Sequence, residues 1–312
     1  MTWGGDTDED EAAAQLIAFR EAGGTLVDTA DVYNNGESES VLGRLLSDVV
    51  PREEVLIATK AVSPTGQLPM MRGGSRGHLM SALDASLRRL GTDYVDLWQL
   101  HSFDTLTPWE ETMAALDTAV ASGRVRYVGI SNYGGWQLGA SAAWQRAVPG
   151  RAPLVSNQVE YSLLQRDIER EIVDGCSTLG LGILPWSPLG RGVLTGKYRN
   201  GAPADSRGAS DRFGSWIEPY LVERCSAIVD AVLTAADGLG VSPVAVSLAW
   251  VRDRPGVVAP IVGARTAAQL QASLAAESVE LPEAIRSALD DVSAPTLGYP
   301  ETLPRRSLAD LD

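Results

Sequence analysis

Three observations predict an α/β protein built as a (β/α)8 TIM barrel. Short, unbroken apolar runs alternate with longer amphipathic stretches along almost the whole chain. Strands that are apolar on both faces belong to a parallel sheet covered by helices. Seven strand–helix units follow in series without a linker, so one strand of eight is lost or hidden, and residues 1–312 read as one domain. The alternative, a doubly wound open sheet, usually shows a G-x-G-x-x-G turn after its first strand, and no strand here is followed by one.

Residues 8–22 read as the first helix, ended by Gly23 and Gly24, with a buried strand over 25–28. A helix over 38–46 precedes a strand over 55–60. Ser75 caps a helix running to about residue 90, and a strand over 94–100 ends at His101. Thr107, Pro108 and Glu110 read as N-cap, first-turn proline and capping box of a helix that ends at Gly123. A strand over 125–130, a helix over 135–146, a strand over 154–158, a helix over 166–176 and a strand over 181–184 follow. A glycine-rich loop occupies 190–215. Helices over 219–237 and 243–253, a last strand over 257–262 and a helix over 266–276 complete the pattern.

Composition excludes several classes. The chain has 26 basic and 40 acidic residues, a net charge of −14. Nucleic-acid binding and docking on anionic lipid both need a basic surface. Two cysteines suggest no secreted disulfide framework, two histidines leave little for a zinc site, and no metal is expected. No apolar run reaches the ~18 residues of a membrane span. The acidic N-terminus is the wrong sign for a signal peptide, so the cytoplasm is the expected address. One segment runs against the acidic balance: residues 186–217 hold five basic residues and two acidic ones. A local cationic patch suits a small anionic ligand.

A parallel barrel carries its site at the C-terminal ends of its strands. The polar residues there are Asp28, Lys60, His101, Ser131 with Asn132, and Gln158, and Tyr33 lies five residues past Asp28. Any one alone is more often a helix cap or a solvated loop residue. Together they make a chemistry. A tyrosine hydroxyl is a poor acid at neutral pH, and a neighbouring ammonium favours its phenolate. Asp28 can hold Lys60, and His101 can orient a substrate oxygen. The set suits proton donation to a carbonyl that receives hydride.

The stretches Asp28-Thr29-Ala30-Asp31-Val32-Tyr33, Thr59-Lys60, Leu100-His101, Gly129-Ile130-Ser131-Asn132 and Trp186-Ser187-Pro188-Leu189-Gly190-Arg191-Gly192 occur in that order. This set resembles the signature of the aldo-keto reductase superfamily, in the branch shared by bacterial aldo/keto reductases and potassium-channel β-subunits. The likeness runs from residue 1 to about 273. It implies Tyr33 as general acid, Lys60 as the lysine that tunes it, Asp28 as that lysine's partner and His101 as the residue that positions the carbonyl. It implies that Ser131, Asn132 and Gln158 hold a nicotinamide carboxamide and that Trp186 stacks on the ring. The segment 187–207, with Ser187, Pro188, Leu189, Gly190, Gly192, Lys197 and Arg207, resembles the loop over the pyrophosphate. Gly263, Arg265 and Gln269 resemble the adenosine-binding element, where Arg265 suits a 2′-phosphate and so NADPH. Ala272 and Ser273 stand where the family often has Glu and Asn.

The resemblance also implies a hairpin and most of the first barrel strand ahead of Met1, and a misassigned start codon is the favoured explanation. The expected activity is NADPH-dependent reduction of an aldehyde or ketone, with a small-molecule carbonyl as partner. The alternatives are an NADPH-binding regulatory or sensor subunit with little turnover, and a reductase of a specialised pathway. Tyr133, Phe103, Trp109 and the tail over 294–312 are expected to line the substrate pocket. His78, Cys176 and Cys225 read as structural. The oligomeric state stays open.

Overall fold

A computed structural model describes residues 1–199, 201, 203, 207–209, 214–299 and 301–303. Six parallel strands form one sheet in chain order: β1 (Leu26–Asp28), β2 (Leu56–Ala61), β3 (Val95–Leu100), β4 (Val125–Ser131), β5 (Leu154–Glu160) and β6 (Gly182–Trp186). Helix α1 (Glu9–Glu21) precedes β1. Helices α2 (Glu37–Asp48), α3 (Arg76–Leu90), α4 (Trp109–Ala121), α5 (Gly135–Ala147) and α6 (Ile172–Leu179) make the parallel crossovers. After β6 come α7 (Gly214–Ile217), α8 (Glu223–Leu239), α9 (Pro243–Arg252), α10 (Ala267–Leu274) and α11 (Glu283–Ser293). Helix starts follow their caps. The Ser75 hydroxyl accepts from the His78 amide at 3.4 Å, and Asp8 accepts from Glu11 at 2.9 Å.

The sheet curls. Gln158 on β5 donates to Asp28 on β1 at 2.9 Å. Strands stand ~4.8 Å apart, so a flat sheet would separate these two by about 19 Å. The apolar side chains agree. One large core lies between strands and helices, while Ala58, Leu97 and Leu184 form a second, small core inside the curl, flanked by Leu26, Val155 and Ile261. This is a barrel wall rather than an open doubly wound sheet.

Several elements depart from the sequence reading. Residues 257–262 do not form a ladder strand. They lie beside β6, joined by Ile183 to the Gly256 carbonyl at 2.8 Å, Val258 to Ile183 at 2.9 Å and Ile261 to Pro185 at 2.7 Å. Pro185 and Pro260 lack the N–H groups that would continue the ladder. The helix expected over 166–176 is broken into a 3₁₀ turn, Asp167–Glu169, and α6, because the Arg166 side chain is drawn beneath it to Glu169 and Ser293. Helix α4 has Pro108 as its cap. The Thr107 hydroxyl donates instead to Asp104 at 2.6 Å, so the capping box does not form. Helix α8 starts at Glu223 rather than 219, the 190–215 loop contains a 3₁₀ segment, Gly190–Thr195, and α11 was not foreseen. The tail beyond 303 lies outside the described residues.

The N-terminal residues bridge the turn after β1, where Asn34 Nδ2 donates to the Trp3 carbonyl at 2.8 Å, and residues 264–265. The Thr2 hydroxyl donates to the Ala264 carbonyl at 3.0 Å and that of Thr7 to Arg265 at 3.2 Å. Behind this tie a cavity of about 770 Å³ separates the unpaired edge of β1 from residues 258–264. Among the described residues no single helix is long and apolar enough to cross a membrane. Both cysteines are free and buried, and His78 is buried on α3.

Candidate active site

The strand ends deliver a buried polar cluster inside the curl. Strand β2 is buried over Ile57 to Ala61, and the alternation that turns Thr59 outward turns Lys60 inward, where its side chain is 0% exposed. Its Nζ donates to Asp28 Oδ2 at 2.5 Å and to the Thr29 carbonyl at 2.9 Å, and it lies 5.2 Å from the centre of the Tyr33 ring. Asp28 Oδ1 accepts from Gln99 at 3.1 Å and from Gln158 at 2.9 Å. Three side chains therefore hydrogen-bond one buried carboxylate, as the burial of a polar group requires. Burial would push the Lys60 ammonium down, but Asp28 and Tyr33 outweigh it and hold its pKa above the usual lysine value.

Burial pushes the Tyr33 phenol above its ordinary value. Lys60 acts in the opposite direction and is outweighed, which corrects the expectation of a lowered pKa. Tyr33 is thus fully protonated at neutral pH. Its ring meets that of His101 edge to face, 5.7 Å between centroids. Burial first, and then Lys60, lower His101 to a pKa of about 4, so its imidazole is neutral. His101 Nδ1 is buried without a hydrogen-bond partner among the described residues.

Asn132 lies in the left-handed region, φ 58°. That turn directs its amide to three neighbours: Nδ2 donates to the His101 carbonyl at 2.9 Å and to Ser131 Oγ at 3.1 Å, and Oδ1 accepts from the Trp186 indole at 2.9 Å. Ser131 Oγ donates to the Gln158 carbonyl at 2.8 Å. Beneath the cluster, Asp31 is 3% exposed, and neither carboxylate oxygen has a hydrogen-bond partner among the described residues. Burial and then nearby Glu39 raise its pKa to about 7. Glu39 itself is paired, accepting from Thr59 Oγ1 at 2.5 Å and from Arg89 at 2.6 Å.

A cavity of about 670 Å³ opens above these groups, within the size range of small-molecule and cofactor sites. Asp28, Tyr33, His101, Ser131, Asn132 and Gln158 line its floor. Trp186, Ser187, Pro188, Leu189, Gly192 and Lys197 line one side, and Gly263, Arg265 and Gln269 the far end. Ser187 has φ 51° and Gly192 φ 93°, so the chain turns tightly after β6. Around Gly263 nothing lies within 4 Å of a notional Cβ, which leaves backbone open for a ligand. The Gln269 carbonyl oxygen Oε1 accepts from the Arg265 amide at 3.0 Å. Lys60 sits behind the wall, and Gly190 turns away. Arg207 begins a short 3₁₀ turn, Arg207–Ala209, and its side chain lies outside the described residues.

Three lining expectations fail. Tyr133 is buried against Phe103, Phe103 packs on Trp136, and Trp109 packs on Trp144; none reaches the cavity. The sequence reading missed Gln99, Trp216 and Ile217, and it quoted Arg191 within the 186–192 stretch without giving it a role of its own. A glutamine between two buried apolar residues, Trp98 and Leu100, was the available signal for Gln99.

The aldo/keto reductase family model matches residues 1–294. The chain is 35% identical over 304 residues to an uncharacterized oxidoreductase, YrpG, of Bacillus subtilis strain 168, covering 94% of this chain and 90% of that one. It is 35% identical over 306 residues to a probable voltage-gated potassium channel subunit beta of Oryza sativa subsp. japonica, covering 96% and 92%. It is 34% identical over 313 residues to the aldo-keto reductase dtxS3 of Metarhizium robertsii, covering 92% and 83%. The chain belongs to the aldo/keto reductase family.

Proposed function

We propose that this aldo/keto reductase is a single-domain enzyme that reduces an aldehyde or ketone with NADPH. The observation that carries the reading is the convergence of a protonated Tyr33, the Lys60–Asp28 pair and a neutral His101 on one cavity walled by Trp186. Tyr33 donates its phenolic proton to the carbonyl oxygen. Lys60, fixed by Asp28, stabilises the phenolate left behind. His101 binds the same oxygen through a neutral imidazole and orients it. The cavity fits the cofactor: Trp186 offers a flat face, Ser131, Asn132 and Gln158 offer amide and hydroxyl partners for a carboxamide, and the loop of Ser187, Pro188, Leu189, Gly190, Gly192, Lys197 and Arg207 suits a pyrophosphate. Gly263, Arg265 and Gln269 would take the adenosine end, with Arg265 on a 2′-phosphate. When bound, NADPH supplies the hydride.

The open edge of β1, facing a cavity of about 770 Å³, suits one further strand that would close the barrel. The likeness to a potassium-channel subunit makes a nucleotide-binding subunit with little turnover the second reading. A carbonyl panel separates the two: the enzyme oxidises NADPH in the presence of at least one aldehyde or ketone, and NADH at least about tenfold more slowly. Tight NADPH binding without turnover on any carbonyl would favour the second reading.

A further inference from the structure

The lip of the cavity carries an ion pair that the reading above does not use. Glu160 ends β5, opposite Trp186 in the strand register. Arg191 meets its carboxylate with two parallel bonds, Nε to Oε1 at 2.9 Å and Nη2 to Oε2 at 2.7 Å. The third nitrogen, Nη1, donates to the Trp216 carbonyl. The Tyr220 hydroxyl donates to the same Glu160 Oε1 at 2.9 Å. The guanidinium lies over the rings of Trp216 at 4.8 Å, Tyr220 at 5.2 Å and Trp186 at 5.7 Å. A planar guanidinium suits bidentate and stacked contacts together, where an ammonium would not. One side chain therefore joins β5, the turn after β6 and the segment 214–220.

The backbone bends to make this contact. Gly190, Arg191 and Gly192 all lie in the left-handed region, with φ of 53°, 57° and 93°. Residues other than glycine avoid that region and persist there only where the surrounding contacts hold them. All three guanidinium nitrogens are engaged within the protein, which makes Arg191 a poor partner for a cofactor phosphate. What the contact holds is Trp216 and Ile217, and both line the main cavity. The Trp216 ring stands 6.5 Å from that of Trp186, tilted by 35°.

We propose that the Glu160–Arg191 pair is a clamp that positions Trp216 as the outer aromatic wall of the carbonyl pocket, favouring carbonyl compounds that carry a flat apolar group. Glu160 and Arg191 are positioning residues, and Trp216 touches the substrate. This rests on the reductase reading, and the experiment keeps the two apart. The specificity constants for benzaldehyde and propanal are measured in the wild type, E160Q, W216A and the double variant. E160Q and W216A each lower the benzaldehyde-to-propanal ratio by about tenfold, and the double variant lowers it no further than W216A, because coupled residues are non-additive. Hydrogen exchange of the segment 214–220 is followed without nucleotide, and E160Q speeds it at least about tenfold while β5 and β6 are unaffected. Additive effects, or unchanged exchange in E160Q, would overturn the clamp. Tighter NADPH binding in E160Q with an unchanged ratio would also overturn it, by assigning Arg191 to the cofactor. If no carbonyl is turned over by the wild type, the reductase reading fails and the exchange measurement alone decides whether the clamp exists.

Discussion

The floor and the lip of the cavity are held by different forces. The floor takes Asp28, Lys60, Gln99 and Gln158 from four strands whose spacing is fixed by ladder hydrogen bonds, and its ion pair is buried and fully satisfied. The lip, from Trp186 to Tyr220, hangs on left-handed residues, stacked rings and one half-buried ion pair. The proton transfer we propose needs fixed distances, and rigid strands fix the Lys60–Asp28 pair that backs Tyr33. Recognition resides in loops, whose local opening costs less than unfolding the sheet.

The largest test of that division is Tyr33→Phe, which removes the acid we propose for the floor and nothing of the lip. Steady-state kinetics should show kcat falling by about 10²–10⁴-fold, the usual contribution of a general acid. Lys60→Met should cost about 3–5 kcal/mol in urea denaturation, since it leaves the Asp28 carboxylate buried without its cation. Asp31→Asn probes the floor's unsatisfied neighbour through pH. Folded Asp31 stays protonated up to about pH 7, whereas its unfolded counterpart ionises above about 3.8. The folded state therefore binds more protons between those values, and its stability falls as pH rises through them. The asparagine variant should lack that fall and exceed the wild type above pH 7 by up to about 4 kcal/mol. Melting curves from pH 4 to 8 would show it. The smallest effect belongs to the lip: Glu160→Gln should cost only about 1–2 kcal/mol in the same urea assay. A cost equal to that of Lys60→Met would erase the contrast.

The same division governed what could be read from sequence. Polar residues at the ends of apolar runs announced Asp28, Lys60, His101, Asn132 and Gln158, because strand periodicity places them without tertiary knowledge. The pKa of Tyr33 was misjudged because burial, which outweighs Lys60, is a tertiary quantity. Residues 257–262 carry an apolar pattern, yet Pro260 and the facing Pro185 interrupt the ladder that the pattern implied. Arg191, Trp216 and Tyr220 meet only because three consecutive left-handed residues reverse the chain, and only two of those are glycines. Phe103 and Tyr133 pack on each other and Trp109 packs on Trp144, since aromatic character alone does not distinguish a pocket wall from a core.

We propose that floor and lip together form a nicotinamide cofactor site. Titrating the protein with NADPH while following its tryptophan fluorescence tests it most directly, because Trp186 and Trp216 both line the cavity. Saturable quenching is the predicted result, with a markedly smaller response to NADH and a loss of most of the signal in Trp186→Phe. An unsaturable response, or quenching that survives intact in Trp186→Phe, would contradict the account.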